Sequence, residues 1–221
     1  MDIRGIFITG TDTGVGKTYV ATALAGAFRS NGIDAGVMKP AETGCRSHKG
    51  ELVPQDALRL IHAAGARDRL NLVNPYRFRK PLAPAVAAEI EKRRIDPAKI
   101  MTAYRLLVRR HDFMIVEGAG GIMVPLSRKY LYLDLAQAMK LPVLIVARPG
   151  LGTINHTLLT ISALKQRKVH VAGIVINYAL DQRPGPAERT SPSAIQDISR
   201  VAVLGTLTHG SRDVDRIIEH L

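Results

Sequence analysis

The sequence predicts an α/β protein with a mostly parallel central sheet and helices on both faces. Short apolar runs alternate with helix-length amphipathic stretches from end to end, the order expected when parallel strands are joined by crossover helices. Several runs, such as Phe113-Met114-Ile115-Val116 and Val143 to Ala147, are almost unbroken in apolar residues, as in strands covered on both sides. At 221 residues the chain fits one domain, 1–221, with no linker needed to explain its length.

In chain order, the first strand is expected at Gly5–Thr9. It feeds the loop GTDTGVGKT (10–18) and an Ala/Leu-rich helix at Lys17–Ser30. A second strand, Ala35–Lys39, leads into KPAETG, and a helix at Gln55–Ala64 carries Asp56 in its first turn. Helices at Pro84–Arg93 and Pro97–Arg110 precede a third strand, Phe113–Glu117, which is followed by AGG. Then come a helix at Tyr132–Met139, a strand at Val143–Ala147, a helix at Ile154–Gln166 and a strand at Ala172–Ile176. The segment Asp181–Ser193 holds three prolines and little apolar content, so it is expected to be a loop. A helix at Ser193–Ser199, a strand at Val201–Gly205 and a helix at Val214–His220 complete the chain, with no internal repeat.

A glycine loop between a strand and a helix is a phosphate-binding setting, because backbone N–H groups and the helix N-terminus point at one anion. The nucleotide-contacting residues expected here are Thr13, Gly14, Val15, Gly16, Lys17 and Thr18. Lys17 would reach the outer phosphates and the Thr18 hydroxyl would join a Mg²⁺ shell. The loop is a variant of the usual motif: Thr11 stands where the first glycine is expected, and Gly10 lies one place earlier. It marks the fold as a single-domain P-loop NTPase. Dimeric switch ATPases with a compact loop of this kind carry a second lysine near its start, where this chain has Asp12.

A second cation is offered by Lys39 at the carboxyl end of its strand, the edge at which open α/β sheets bind ligands. Glu117 ends a buried strand beside the loop, where a carboxylate holds Mg²⁺ directly or through water. The glycines behind it, Gly118, Gly120 and Gly121, let backbone approach a ligand closely. Asp56 suits the positive end of its helix dipole and is also a candidate third oxygen ligand beside Thr18 and Glu117.

Composition narrows the alternatives. The single cysteine, Cys45, rules out an intrachain disulfide and a cysteine-based metal site. There is no apolar stretch of membrane-spanning length, and the N-terminal MDIRGIFITG lacks the features of a signal peptide, so a cytoplasmic protein without membrane contact is expected. The formal net charge is +12, and segment 77–110 holds ten basic residues against three acids. With six Tyr, four Phe and no Trp, stacking platforms for nucleic acid are poorly supplied, and no nucleic-acid partner is expected. A solvated helix face is the simpler account of the basic segment.

The motifs GTDTGVGKT, KPAETG, QDAL, NPYRF, VEGAGGIMVPL and GLGTINH, with a late strand ending in Asn177, resemble in order those of the dethiobiotin synthetase family. The resemblance runs through nearly the whole chain. It implies ATP-dependent ring closure of 7,8-diaminononanoate with CO₂, releasing ADP and phosphate, with ATP as co-substrate and Mg²⁺ as cofactor. It further implies Lys17 and Lys39 as the charge-stabilising catalytic pair and Thr18, Asp56 and Glu117 as the metal shell. Thr43 is similar to the hydroxyl residue at the diamine end, Glu117-Gly118-Ala119-Gly120 resemble the strip that runs beside nucleotide and substrate, and Asn177 is similar to the amide that reads adenine. Gly152, Thr153, Ile154 and Asn155 resemble the helix start that receives the substrate carboxylate. In the family that segment comes from the partner subunit, so a homodimer is implied. Two departures stand out: Ala83-Pro84-Ala85 replaces Ser-Pro-His, and Thr208 replaces a proline. The competing reading is a dimeric switch-type P-loop ATPase acting through a protein partner.

Overall fold

The computed structural model describes residues 5–181 and 183–221; the N-terminal MDIR and residue 182 of the expected Asp181–Ser193 loop lie outside the described residues. The first half of the chain contains β1 (Gly5–Gly10), α1 (Lys17–Ser30), β2 (Ala35–Met38), β3 (Ala41–Glu42), β4 (Arg46–His48), β5 (Glu51–Val53), α2 (Gln55–Ala64), α3 (Leu70–Val73), β6 (Tyr76–Arg77), α4 (Pro84–Ile90) and α5 (Pro97–Val108). The second half contains β7 (Phe113–Gly121), β8 (Pro125–Ser127), β9 (Tyr130–Leu131), α6 (Tyr132–Met139), β10 (Val143–Ala147), α7 (Thr153–Gln166), β11 (Val171–Asn177), α8 (Pro186–Ser199), β12 (Val203–Leu207) and α9 (Asp215–Ile218).

The six expected strands form one sheet in the order β12-β11-β10-β1-β7-β2. Every pairing in it is parallel. The chain leaves β1 toward β2 at one edge, returns through β7, and continues on the other side from β10. The order therefore reverses around β1, which opens a crevice at the carboxyl ends of β1 and its neighbours. The sheet divides the apolar interior in two: Phe7, Met38, Val116 and Tyr132 pack in one layer, and Ile6, Ile8, Val20 and Leu24 in the other. Adjacent strand residues point to opposite faces, so a strand with core on both sides must be apolar at every position.

Two boundaries differ from expectation in ways that bear on the site. β7 does not stop at Glu117 but runs to Gly121, with a register shift against β1 between Ile8 and Gly10. Glu117 is therefore an interior strand residue opposite Ile8, and the glycines behind it continue the strand. A side chain at Gly118 would press on the Phe7 ring, at 3.2 Å. β2 ends one residue early, at Met38, so Lys39 begins the connection.

The expected loop at Asp181–Ser193 is corrected: α8 begins at Pro186 and runs through that segment to Ser199. Pro186 occupies the first turn, where its missing N–H costs nothing, and the Gly185 N–H donates to Glu188 Oε2 at 2.9 Å. Prolines that read as breakers thus include one that starts the helix. Pro192 does lie inside it. The helix expected at Pro84–Arg93 stops at Ile90 because Lys92 turns left-handed, φ 51°, and the Arg93 N–H closes back on the Ala88 carbonyl. Cys45 is buried and unpaired, and burial pushes its thiol up to about 11.

Candidate active site

The loop from Gly10 to Thr18 crosses the carboxyl end of β1. Gly14 and Gly16 take φ of 77° and 90°, the left-handed region that favours glycine, and Gly16 caps α1. The early glycine also has a steric reason: a Cβ at Gly10 would lie 2.7 Å from the Asp12 carbonyl oxygen and 2.9 Å from Lys17 Nζ. Lys17 Nζ donates to the Asp12 carbonyl at 3.0 Å, so its ammonium lies folded over the loop. Burial, reinforced by the nearby Lys39 charge, lowers the Lys17 pKa to about 8. Its charge is the less firmly held of the two lysines.

Lys39 is buried at the centre of a polar cluster. Its Nζ lies 2.5 Å from Glu117 Oε1, 3.2 Å from Asp56 Oδ2 and 3.3 Å from the Gly118 carbonyl oxygen. Burial opposes the Lys39 charge, but Glu117 and Asp56 outweigh it and hold the ammonium above its ordinary value. Its backbone is fixed on both sides, the N–H donating to Val73 O at 2.8 Å and the carbonyl accepting from Asn74 Nδ2 at 2.7 Å. Thr18 Oγ1 donates to the same Glu117 Oε1 at 2.7 Å. Glu117 is fully buried, and its Oε2 has no partner among the described residues.

Lys17, Thr18, Lys39, Thr43, Asp56 and Glu117 thus line one cavity of about 620 Å³, together with Thr13, Gly14, Gly16, Ala119 and Gly120. Val15 is buried beneath the loop. The apolar side of the cavity is formed by Pro81, Leu82, Ala83, Pro84 and Val124, so the first two residues of the stretch that departs from Ser-Pro-His are part of the wall, and Ala85 is not. Gly152, Thr153, Ile154 and Asn155 do not line it. Asn177 is buried behind the loop, where Nδ2 donates to the Val15 carbonyl at 2.9 Å and Oδ1 has no partner among the described residues. A Cβ at Gly16 would collide with that Nδ2.

Two residues in or behind this site carried no signal that the sequence reading used. Glu42, buried in the cavity wall, accepts from the Asp56 and Ala57 N–H groups at 2.9 and 3.0 Å. Burial is the main cause that raises its pKa. Tyr132 is fully buried, with a hydroxyl that has no hydrogen-bond partner among the described residues. The first is detectable in retrospect only as an acid beside the motif lysine, the second only as a tyrosine opening a helix.

The residues present fit a hexacoordinate divalent cation that also binds substrate phosphates. Thr18, Asp56 and Glu117 offer hard oxygens, and a Glu117 oxygen is buried without a partner. Among the described residues no group of three or more His, Cys, Asp or Glu is arranged to hold a metal. The donor set of one hydroxyl and two carboxylates is of the kind that Mg²⁺ takes, the rest of its shell being phosphate and water.

A second hollow of about 1030 Å³ lies elsewhere, between the β4–β5 hairpin and α5, and is lined by Arg77, Arg93 and Lys99. These cations belong to the basic segment, and each has a structural contact. Arg77 donates to the Asn74 carbonyl at 3.2 Å, Arg93 stacks 4.9 Å from the Phe78 ring centre, and Lys99 lies 5.3 Å from that of Tyr76. The hollow holds none of the loop residues. Among the described residues no helix is long and apolar enough to cross a membrane.

The AAA domain family matches residues 4–211. A protein of Anaeromyxobacter dehalogenans named ATP-dependent dethiobiotin synthetase BioD is 50% identical over 200 residues, 90% of this chain and 86% of that protein. Proteins of the same name from Thermodesulfovibrio yellowstonii and Bacillus velezensis are 43% and 42% identical, covering 93% and 98% of this chain and 88% and 93% of their own lengths. Among solved structures, the MinC:MinD cell division complex of Aquifex aeolicus aligns with TM-score 0.59 and 17% identity over 98% of this chain and 86% of that one. A ParA family ATPase from Chlorobium tepidum aligns with TM-score 0.54 and 14% identity over 99% and 90%. At these identities the structural matches speak for the fold alone.

Proposed function

Since the chain belongs to the ATP-dependent dethiobiotin synthetase family, we propose that the cluster around Lys17, Lys39 and Glu117 is the centre at which its ring closure takes place. The reaction joins 7,8-diaminononanoate and CO₂ at the expense of ATP. One amine nitrogen bonds to the carbon of CO₂ and loses a proton, giving a carbamate. A carbamate oxygen bonds to the γ-phosphorus as the bond to the ADP oxygen breaks. The second amine then attacks the carbonyl carbon of the mixed anhydride, the C–O bond to phosphate breaks, the nitrogen gives up a proton as phosphate leaves, and the cyclic urea is complete.

No step needs a nucleophile from the protein. What it needs is positive charge around two anions that must approach each other, supplied before they arrive. The observation that supports this reading best is the convergence of Lys17 and Lys39 on one cavity, with Lys39 held charged by two carboxylates. Lys17 is assigned to the outer phosphates, where an anion restores the proton affinity that burial lowers. Lys39 is assigned to the carbamate and the transferring phosphoryl group, and Thr43 to the diamine end. Thr18, Asp56 and Glu117 are assigned to Mg²⁺, whose chemistry is to neutralise phosphate charge. Thr13 to Thr18 and Glu117 to Gly120 line the nucleotide path. Asn177, whose buried Oδ1 has no partner among the described residues, is assigned to the adenine amino group.

The substrate carboxylate is assigned to Gly152, Thr153, Ile154 and Asn155 of a second copy. Gly152 opens the 14-residue α7 with φ 87°; the Thr153 N–H goes to the Gly150 carbonyl at 3.2 Å, so the first-turn N–H groups assigned to an anion are those of Ile154 and Asn155. A shallow cleft beside α7, lined by Thr11, Asp12, Met123, His156 and Leu159, supports self-association, with Met123 and Leu159 more than half exposed and Leu151 nearly fully so.

The test is incubation with diaminononanoate, bicarbonate, Mg²⁺ and each nucleoside triphosphate in turn, with chromatographic detection of the cyclic product. Phosphate release that depends on the diamine supports the ligase. Phosphate release indifferent to diamine and bicarbonate, with no cyclic product, sinks it in favour of a switch-type ATPase.

A further inference from the structure

We infer that Glu42 is a positioning residue that caps α2 from outside the helix and so aims Asp56 at the metal and Lys39. Helix α2 starts in a way that leaves its own first turn poorly provided. Its N-cap is Pro54, which offers no side-chain acceptor. The need is met by a residue fourteen positions away. Both Glu42 carboxylate oxygens are engaged, one on the Asp56 N–H at 2.9 Å and the other on the Ala57 N–H at 3.0 Å. A carboxylate used in this way satisfies two of the N–H groups that a helix start leaves open, and its charge lies at the positive end of the helix dipole.

The same geometry argues against two other roles. Glu42 lies in the cavity wall, but an acid whose two oxygens both receive backbone N–H bonds is not free to serve as a base or to turn toward a metal. Its backbone is fixed as well: the carbonyl accepts from the Phe78 N–H at 2.9 Å, and the Cys45 N–H returns a bond of the same length to the Phe78 carbonyl. The anchor is therefore rigid at both ends. Asp56 is the residue whose N–H Glu42 grips, and its carboxylate reaches Lys39 at 3.2 Å while staying a third exposed toward the cavity. Thr43 follows Glu42 directly, so one short strand fixes the substrate-side hydroxyl and the Asp56 helix together.

This inference rests on the assignment of Asp56 to the metal shell, and the test separates the two. Glu42→Gln keeps the size of the side chain but turns an NH₂ toward a backbone N–H, so one of the two bonds is lost. Mn²⁺ binding in the presence of ADP is followed by electron paramagnetic resonance for the parent, Glu42→Gln, Glu42→Ala and Asp56→Asn. ADP affinity without metal is measured in EDTA, and folding by circular dichroism. Loss of a residue that orients a metal ligand weakens metal binding by about tenfold or more. That loss is expected for Glu42→Gln, with unchanged ADP affinity in EDTA. If Asp56→Asn weakens Mn²⁺ binding but folded Glu42→Gln does not, Glu42 has no positioning role, whatever it does to the melting temperature. If Asp56→Asn leaves Mn²⁺ binding intact, the metal assignment itself fails. Glu42→Ala serves as the larger perturbation where it folds, and a Mn²⁺ affinity equal to the parent's would again overturn the inference.

Discussion

Lys39→Ala separates charge stabilisation from nucleotide binding. The substitution removes the cation lying 2.5 Å from Glu117 Oε1 and leaves a fully buried carboxylate held by one hydroxyl, that of Thr18. Breaking a buried ion pair from one side costs about 3–5 kcal/mol, which in a chain of this size lowers the melting temperature by about 6–20 °C. The chemical effect is separate: losing one preorganised donor to a developing anion costs about 2.7–4 kcal/mol, or a turnover lower by about 10²–10³. Nucleotide affinity should hold, because Lys17 and the loop N–H groups remain. The assay is single-turnover formation of the cyclic urea, beside a fluorescent ADP titration and a thermal melt. The double variant Lys39→Ala/Glu117→Gln distinguishes the two costs, since removing the orphaned charge should recover stability and leave the chemistry impaired. Folded Lys39→Ala turning over within tenfold of the parent would refute the role assigned to this lysine.

Four further outcomes are expected. Lys17→Ala should weaken both ATP binding and turnover, and an unchanged ATP affinity by titration would remove Lys17 from the phosphate site. Gly16→Ala should abolish nucleotide binding, because φ is 90° and the added methyl strikes Asn177, whereas Gly14→Ala, with φ 77° and open space around it, meets only the strain of about 1–2 kcal/mol of a left-handed backbone; equal effects in the same titration would contradict the buttress. His111 donates from both ring nitrogens when charged, to Asp34 at 2.9 Å and Asp68 at 2.7 Å, and although burial opposes its charge, these two carboxylates raise its pKa. Its stabilising contribution is therefore complete below the unfolded value of about 6.5 and is lost as pH rises through the higher folded value, so urea midpoints of parent and His111→Gln should converge with rising pH; a gap that widens would reverse the sign. Leu159→Asp should shift the protein toward monomer in light scattering and lower turnover together, and an active monomer would contradict a shared site.

The parts of the site that were legible in the sequence are those in which chemistry and chain position coincide. Lys39 follows an apolar strand directly, so the rule that α/β sheets bind ligands at strand ends reaches it. Lys17 and Thr18 sit at fixed offsets from Gly16. What escaped depends on contacts between distant segments. The Glu42 cap joins residues on two different elements, and no periodicity announces it. The first half of helix α8 was hidden because proline signals a break by composition but a start by position, and only the Gly185–Glu188 bond tells which, whereas its second half, from Ser193 to Ser199, was legible. The amide of Asn177 marks a strand end in sequence. In space its nitrogen is already committed to the Val15 carbonyl, which ties the last residue of β11 to the loop of β1.

Charge ownership was the least legible feature and has the largest chemical consequence. A sequence shows two lysines and several acids near one loop, and from that the lysines look interchangeable. The structure makes them unequal. Lys17 touches a neutral carbonyl and loses proton affinity to burial and to its fellow cation, whereas Lys39 is enclosed by Glu117 and Asp56 and gains it. On the assignments proposed above, an incoming triphosphate changes Lys17 most, giving it a counter-charge that the resting loop does not supply. Lys39 already has its counter-charge, shared with Thr18 through one Glu117 oxygen, so any cation drawn to that oxygen competes with it. One lysine is built to respond to the nucleotide, and the other to stay charged whether or not the nucleotide is there. This difference in task is what a reaction with two successive anions on one phosphorus asks of its cations.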